Sequence, residues 1–249
     1  MAEFLDTVKS YVRGHNALEH HPMMALIYSG KATPDQLKGW MKEFWVIPKT
    51  HLINNAGKLA HAQLFRGSFL TQLLDTPYDP DIVALLGEGV MDEMGKTEIS
   101  PVNHYDPYWK LIDALGIPRA EVGQSDQLLP HSVLTMYVWS TTALNFSLLE
   151  LLSSHNLVND TVNVHAYPKL CEALTSHYGL SRDAVEWFDL HGEVDVEHGK
   201  RSTEVIEKIV KTAEDRETVW HAVRLGLAIK WTLFDGVYHA YVDGSYTRP

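Results

Sequence analysis

Apolar residues recur at helical spacing along most of the chain, and one of these stripes is broken by polar residues. The stripe lies in residues 184–213, and its positions advance alternately by three and four residues, as on the core-facing side of a helix. The positions on this seam are Phe188, His191, Asp195, His198, Ser202, Val205 and Ile209. Offsets of 0, 4 and 7 fall within about 40° of one another on a helix. His191, Asp195 and His198 are therefore expected to point together into the protein.

The remaining pattern predicts an all-α protein. Thr33 and Gln36 can form a capping box around Pro34, which suits the first position of a helix. Pro48 predicts a kink in the helix that follows, because proline lacks the N–H group and clashes with the preceding turn. The predicted helices cover residues 2–13, 22–28, 34–61, 80–94, 105–115, 132–152, 166–178, 184–213 and 216–241. No alternating pattern of strand length is present, so we expect one helical domain over residues 1–249.

Composition limits the possible functions. The 249 residues carry a net charge of −11, and no basic cluster suggests a nucleic-acid partner. Cys171 is the single cysteine, which excludes an internal disulfide and a cysteine-rich zinc site. No apolar run approaches the roughly 18 residues that a membrane span needs. The acidic N-terminus does not resemble a signal peptide, so we expect a cytoplasmic protein without a membrane partner.

The polar residues on the stripe suggest a metal site. A buried carboxylate needs a partner or a metal ion, and two histidines with one carboxylate suit Fe, Zn or Mn. Glu150 is a second candidate, because it is the only charged residue in the apolar segment 132–152. Either it is a buried ligand or it lies near the helix end and reaches water.

Glu93 and His104 are a third candidate group. The break between them, marked by Gly95 and Pro101, allows the chain to turn so that both side chains reach one centre. Other carboxylates compete for the role of Glu93; they are Glu88, Asp92 and Glu98. The six candidate ligands are Glu93, His104, Glu150, His191, Asp195 and His198. Three carboxylates and three imidazoles are the ligand set of a dinuclear non-haem site, although the two Glu-x-x-His pairs of ferritin-like bundles are missing.

These residues resemble a known family. Leu190-His191-x-x-x-Asp195-x-x-His198, preceded by Trp187-Phe188, is similar to the third metal-binding helix of the haem-oxygenase-like di-iron oxidases and oxygenases. Asp92-Glu93, His104 and Trp109 resemble the segment that supplies a Glu and a His in that family, and Glu150 matches in kind its remaining carboxylate. The resemblance covers roughly residues 15–240.

The resemblance implies a haem-oxygenase-like bundle of about seven or more helices that holds two Fe ions and uses O₂ as co-substrate. It implies N-oxygenation, desaturation or oxidative C–C cleavage of a small amino-acid, amine or fatty-acid-like substrate in natural-product biosynthesis. A homodimer is a further expectation of the resemblance.

Two other functions remain open. One is a metal-independent enzyme of the same fold, similar to the pyrroloquinoline-quinone synthase or thiaminase-II-like proteins. The other is a non-catalytic helical interaction module. A carboxylate on the substrate would meet Lys49, Arg224 or Lys230, and nothing in the sequence chooses among them. The expected pocket lining is aromatic: Trp45, Tyr137, Trp139, Phe146, Phe188, Trp231 and Tyr238.

Overall fold

The structure, a computed structural model, describes residues 1–61, 79–124 and 126–246. Within these residues it is helical and contains no β-strand, which confirms the all-α prediction. The helices are α1 (Ala2–His15), α2 (Ala17–His20), α3 (Pro22–Tyr28), α4 (Pro34–Phe44), α5 (Val46–Ala60), α6 (Pro80–Glu93), α7 (Tyr105–Ala114), α8 (Pro130–Asn145), α9 (Leu148–Leu151), α10 (Leu157–Tyr178), α11 (Glu186–Ile209) and α12 (Ala213–Tyr241). Short 3₁₀ turns cover Arg119–Glu121 and Asp183–Val185.

Capping residues set several helix ends, two of them where the sequence predicts them. Thr33 and Gln36 form the expected capping box at the start of α4. α10 ends at Tyr178, and Gly179 follows it with a φ of 68°. α12 begins three residues before the predicted start, because Thr212 forms a capping box with Asp215.

Two predicted helices are broken. The helix over residues 34–61 divides at Trp45 rather than at Pro48, and Pro48 lies in the first turn of α5, where its missing N–H costs least. The helix over residues 132–152 ends at Asn145. Phe146 is extended with a ψ of 153°, and Ser147 caps the short helix α9.

A π-helical turn, Leu152–Asn156, joins α9 to α10. The extra residue of a π turn rotates the helix after it by roughly 100° relative to a continuous α-helix. α12 packs closely against this turn at Gly226, where a Cβ atom would lie 2.1 Å from the carbonyl oxygen of Ser154. The backbone contact therefore fixes the orientation in which α10 begins.

Among the described residues, α10 and α11 form the most extensive helix pair. Gly199 of α11 lies against α10, where a Cβ atom would be 3.2 Å from Cβ of Asp160. Buried aromatic rings of Trp40, Phe44 and Phe188 fill the core at the other end of α11. Within the described residues, no helix combines the length and apolar character needed to cross a membrane.

Candidate metal centre

Three helices direct polar side chains into one buried cavity. Among the lining residues of each helix, three stand at the same offsets of 0, 4 and 7, which place them on one face. The nine residues are His51, Asn55 and Lys58 from α5; Asn156, Asp160 and Asn163 from the π turn and α10; and His191, Asp195 and His198 from α11. Glu93, at the end of α6, also lines the cavity. Asn54, His155 and Asn159 line the cavity as well.

One half of the cavity is formed by His51, Glu93 and His191. One possible ligand atom of each residue lies within 4.8 Å of the others. Nδ1 of His191 lies 2.7 Å from the carbonyl oxygen of Trp187, which places its proton on Nδ1. Nε2 of His191 is buried and has no hydrogen-bond partner among the described residues. An unpartnered imidazole nitrogen beside a carboxylate is what a metal ion requires.

The charge states in this half suit a metal ion. Burial, followed by the nearby His104, lowers the pKa of His191 to about 3, so its ring is neutral. Burial also lowers the pKa of His51. Burial alone would raise the pKa of Glu93, but His104, His51 and His191 hold it below its usual value. The site therefore presents neutral imidazoles and an ionised carboxylate, the forms that bind metal.

The other half contains Asp160, Asp195 and His198. Burial and the neighbouring Asp195 raise the pKa of Asp160. Burial lowers the pKa of Lys58, against the attraction of Asp160 and Glu93. The ammonium group of Lys58 donates to Oδ1 of Asn55 at 2.6 Å.

Each carboxylate at the cavity accepts a hydrogen bond from an asparagine amide. Asn55 donates to Oε1 of Glu93 at 3.1 Å. The partners of the other two carboxylates are Asn163, which donates to Asp195 at 2.8 Å, and Asn156, which donates to Asp160 at 3.1 Å. These bonds fix the orientation of the carboxylates without adding charge to the site.

His198 lies between two carboxylates. Its Nε2 is 2.9 Å from Oδ2 of Asp92, and its Nδ1 is 3.4 Å from Oδ1 of Asp195. Burial would lower the pKa of His198, but these two carboxylates raise it to about 10. Asp92 is also held by Arg201, at 2.8 Å, and by Thr97. Asp92 therefore orients the ring and leaves Nδ1 facing the cavity side, where a metal ion would replace a proton.

His104 lies behind Glu93 and is not among the residues that line the cavity. Its Nδ1 is 2.8 Å from Oε2 of Glu93, and its Nε2 is 2.8 Å from Oγ of Ser100. Ser100 is held in turn by a hydrogen bond to the carbonyl oxygen of Asp92. The ring of His104 also lies 4.4 Å from that of His191, so His104 stands directly behind both Glu93 and His191.

The structure brings four of the six predicted ligands around the cavity: Glu93, His191, Asp195 and His198. It separates Glu150 from them, because the chain breaks before Ser147 and α9 starts a new helix there. The carboxylate of Glu150 accepts hydrogen bonds from the backbone N–H and the hydroxyl of Ser147, at 2.8 and 2.7 Å. Glu150 therefore caps its own helix. Of the competing carboxylates, Glu98 is exposed and Glu88 pairs with Arg201 at 3.1 Å.

The sequence reasoning missed His51, Lys58 and Asp160. The sequence pattern that could have identified them is the spacing of His191, Asp195 and His198, because polar residues at offsets 0, 4 and 7 recur on the other two helices. The predicted aromatic lining is wrong: the cavity wall is polar, Tyr137 is 65 % exposed and Phe188 packs in the core. The cavity offers only about 40 Å³ to water-sized molecules, far less than the ~300 Å³ of a small ligand pocket. It fits ions and water.

The comparisons with known proteins identify the family of this chain. The sequence family described as iron-containing redox enzymes matches residues 58–231. The chain belongs to this family. The match includes α10, α11 and most of α12, and it begins at Lys58 in α5.

Named relatives and a solved structure extend the comparison over nearly the whole chain. The chain is 22 % identical to a 4-aminobenzoate synthase from Nitrosomonas europaea, over 96 % of this chain and 92 % of that protein. It is 26 % identical to a pyrroloquinoline-quinone synthase from Pseudomonas aeruginosa, over 89 % of this chain and 82 % of that protein. A domain of unknown function with a haem-oxygenase-like fold from Shewanella denitrificans superposes with a TM-score of 0.72 at 18 % identity. The superposition covers 96 % of this chain and 91 % of that domain. The fold of this chain is haem-oxygenase-like, as the family resemblance implies.

Proposed function

We propose that this protein is a non-haem di-iron oxidoreductase that uses O₂ to oxidise a small molecule. The observation that carries the proposal is the buried, unpartnered Nε2 of His191, which faces a carboxylate and a second imidazole. The family of iron-containing redox enzymes supports iron as the metal. Four imidazoles and three carboxylates line the cavity, which is enough for two ions. His51, Glu93 and His191 form the group whose ligand atoms already lie within 4.8 Å of one another, so a second ion would draw its ligands together on binding.

The ligand assignment follows the two halves of the cavity. His51, Glu93 and His191 would hold one ion. Asp160, Asp195 and His198 would hold the other, and they can do so once Nδ1 of His198 has lost its proton. This assignment replaces Glu150 with Asp160, adds His51, and gives His104 the role of holding Glu93 in position.

Bound Fe(II) would supply electrons and open coordination positions for the activation of O₂. The surrounding side chains prepare the site for that chemistry. The asparagine amides keep each carboxylate aimed at the cavity, and the ring of Trp187 packs 4.1 Å from that of His191 and excludes water behind it. Lys58 holds a proton at Nζ on the cavity wall, where its ammonium group donates to Asn55.

The relatives support a biosynthetic reaction, since both are named as synthases of small molecules. We propose N-oxygenation, desaturation or oxidative C–C cleavage as the reaction class. Each of these needs an oxidant beside a C–H or amine group.

An anaerobic titration with Fe(II) tests the proposal. We expect two irons per chain, followed by O₂ consumption and a transient visible absorbance on mixing with O₂. His191→Ala should lose iron. His239→Ala is the control, because His239 is half-exposed, pairs with Asp243 at 2.9 Å and does not line the cavity. Absence of iron uptake, or equal uptake by His191→Ala and wild type, would overturn the proposal.

A metal-independent enzyme of the same fold is the second candidate. It is favoured by His104 and His198, whose ring nitrogens all lie 2.8 to 3.4 Å from oxygen atoms of neighbouring side chains. Such a network can stand without ions as a polar pocket. Folded protein that takes up no Fe(II) under the same titration supports this candidate.

A further inference from the structure

A narrow extension of the metal cavity runs between α5, α6 and α11. It shares four wall residues with the cavity: Asn55, Lys58, Asn156 and His198. The other residues that line it belong to α6 and α11: Leu85, Leu86, Gly89, Arg201, Ser202 and Val205. Leu86 and Val205 are buried, whereas Leu85 and Gly89 are partly exposed. This extension, the α6 passage, therefore leads from the protein surface to the metal cavity.

The α6 passage has room for a very small molecule only. It offers about 30 Å³. One water molecule needs roughly 10–15 Å³ of such space, whereas the site of an organic substrate measures ~300 Å³ or more. The passage can therefore hold a diatomic molecule and is too small for the compound that the enzyme would oxidise.

The charged groups on the wall of the α6 passage already have partners. The guanidinium group of Arg201 lies 2.8 Å from Oδ2 of Asp92 and 3.1 Å from Oε2 of Glu88. Lys58 donates a hydrogen bond of 2.6 Å to a neighbouring amide oxygen. Both ring nitrogens of His198 lie beside carboxylates. An ion in the passage would compete with these contacts, so the passage favours a neutral occupant.

The outer part of the α6 passage is apolar. Leu85 and Leu86 line it from α6, and Val205 lines it from α11. Among the described residues, a Cβ atom added at Gly89 would meet nothing within 4 Å, so the space beside this residue is open. A polar molecule loses hydrogen bonds to water when it enters apolar surroundings, and an apolar molecule does not. The lining therefore favours an apolar occupant as well as a neutral one.

We propose that the α6 passage binds O₂ and delivers it to the metal cavity. Dioxygen is neutral, apolar and diatomic, so it matches the size, the charge and the lining of the passage. It reaches the cavity at His198, a proposed ligand of the second ion. The role of this O₂ as co-substrate rests on the proposed function, whereas its binding in the passage does not. Gly89 keeps the passage open, because a larger side chain there would extend into the space beside it.

Proton NMR of the metal-free protein under O₂ and under N₂ tests the inference, because dissolved O₂ is paramagnetic and speeds the relaxation of nearby protons. We expect O₂ to affect the methyl protons of Leu86 and Val205 more than those of Val223, which is as buried as Val205. Gly89→Leu should remove this difference. Gly87→Leu is the matched control, because Gly87 lies on the same helix but does not line the passage. An added Cβ meets open space at both glycines, and leucine suits a helix better than glycine does, so both variants should fold.

The iron-loaded protein gives a second measurement. Gly89→Leu should bind iron as wild type does but react with O₂ at least about tenfold more slowly, which corresponds to ~1.4 kcal/mol in the barrier. Gly87→Leu should react as wild type does. An unchanged rate in Gly89→Leu would overturn the delivery of O₂ through the passage.

The NMR experiment separates failure of the passage from failure of the proposed function. Equal effects of O₂ on Leu86, Val205 and Val223, or an effect that persists in Gly89→Leu, would overturn the passage. If two irons bind per chain and O₂ is absent from the passage, only the passage is removed. If O₂ enters the passage and no iron binds, only the di-iron assignment is overturned.

Discussion

Replacing Asp160 with asparagine should remove one iron and leave the metal-free fold nearly unchanged. Burial and Asp195 raise the pKa of Asp160, so the metal-free protein favours its neutral acid, which asparagine resembles in shape. We expect the free energy of unfolding to change by less than about 1 kcal/mol, or ~2–4 °C in Tm for a chain of this size. Changes to residues outside the ligand shell already cost about 10–100-fold in metal affinity. Loss of a direct anionic ligand should therefore exceed about 100-fold, or ~2.7 kcal/mol.

The assay is an anaerobic Fe(II) titration against a competing chelator, with thermal denaturation of the metal-free protein in parallel. Glu150→Gln is the matched control. Glutamine can still accept from Ser147 and complete the capping box, so this variant should bind two irons. Two tightly bound irons in Asp160→Asn would refute the assignment. Loss of iron in Glu150→Gln would show that Glu150 is a ligand, as the sequence predicts.

Three other predictions follow from the site and its supports. Iron affinity should rise with pH through the neutral range, because Asp160 and His198 must release protons when metal binds. The pKa of Asp160 is raised, and that of His198 is about 10. Calorimetry in buffers of different ionisation enthalpy should detect this release, and an affinity that does not depend on pH would contradict the prediction. Lys58→Met should increase iron affinity in a chelator competition, because it removes a positive charge from the cavity wall. Gly226→Ala should lower Tm by about 5–10 °C, since its Cβ would meet a backbone oxygen of the π turn at 2.1 Å and overpacking costs ~1–3 kcal/mol or more. Gly87→Ala, with open space around the added Cβ, should leave Tm unchanged or raise it.

Helix starts were predictable where local chemistry sets them. Thr33 caps its own helix through bonds within four residues, and such bonds are visible in sequence. The break before Ser147 was not predictable from periodicity, because apolar residues continue on both sides of it. The π turn was hidden for a different reason. It is stabilised by close packing against Gly226, which is distant in sequence, and only the folded chain shows that contact.

The site was predictable only in part, for a related reason. His191, Asp195 and His198 interrupt an apolar stripe, so their burial could be inferred from neighbours on the same helix. Asp160 stands among asparagines and histidines, where polar residues suggest a solvated face. His51 lies on a helix whose polar residues likewise suggest a solvent-exposed face. The decisive feature is that three helices repeat one spacing, and it has meaning only when the three faces are brought together.

The charge balance of the cavity explains why its carboxylates are held by amides rather than by arginines. An arginine beside each carboxylate would neutralise the charge that attracts a metal ion. Asparagine fixes the same geometry and leaves that charge available. In the metal-free arrangement, the buried Lys230 interacts with Asp160 and Asp195, and Lys58 and the protonated His198 supply further positive charge. Both carry protons that a dication can displace or repel, so the fold stays stable without iron while its ligands remain in place to bind it.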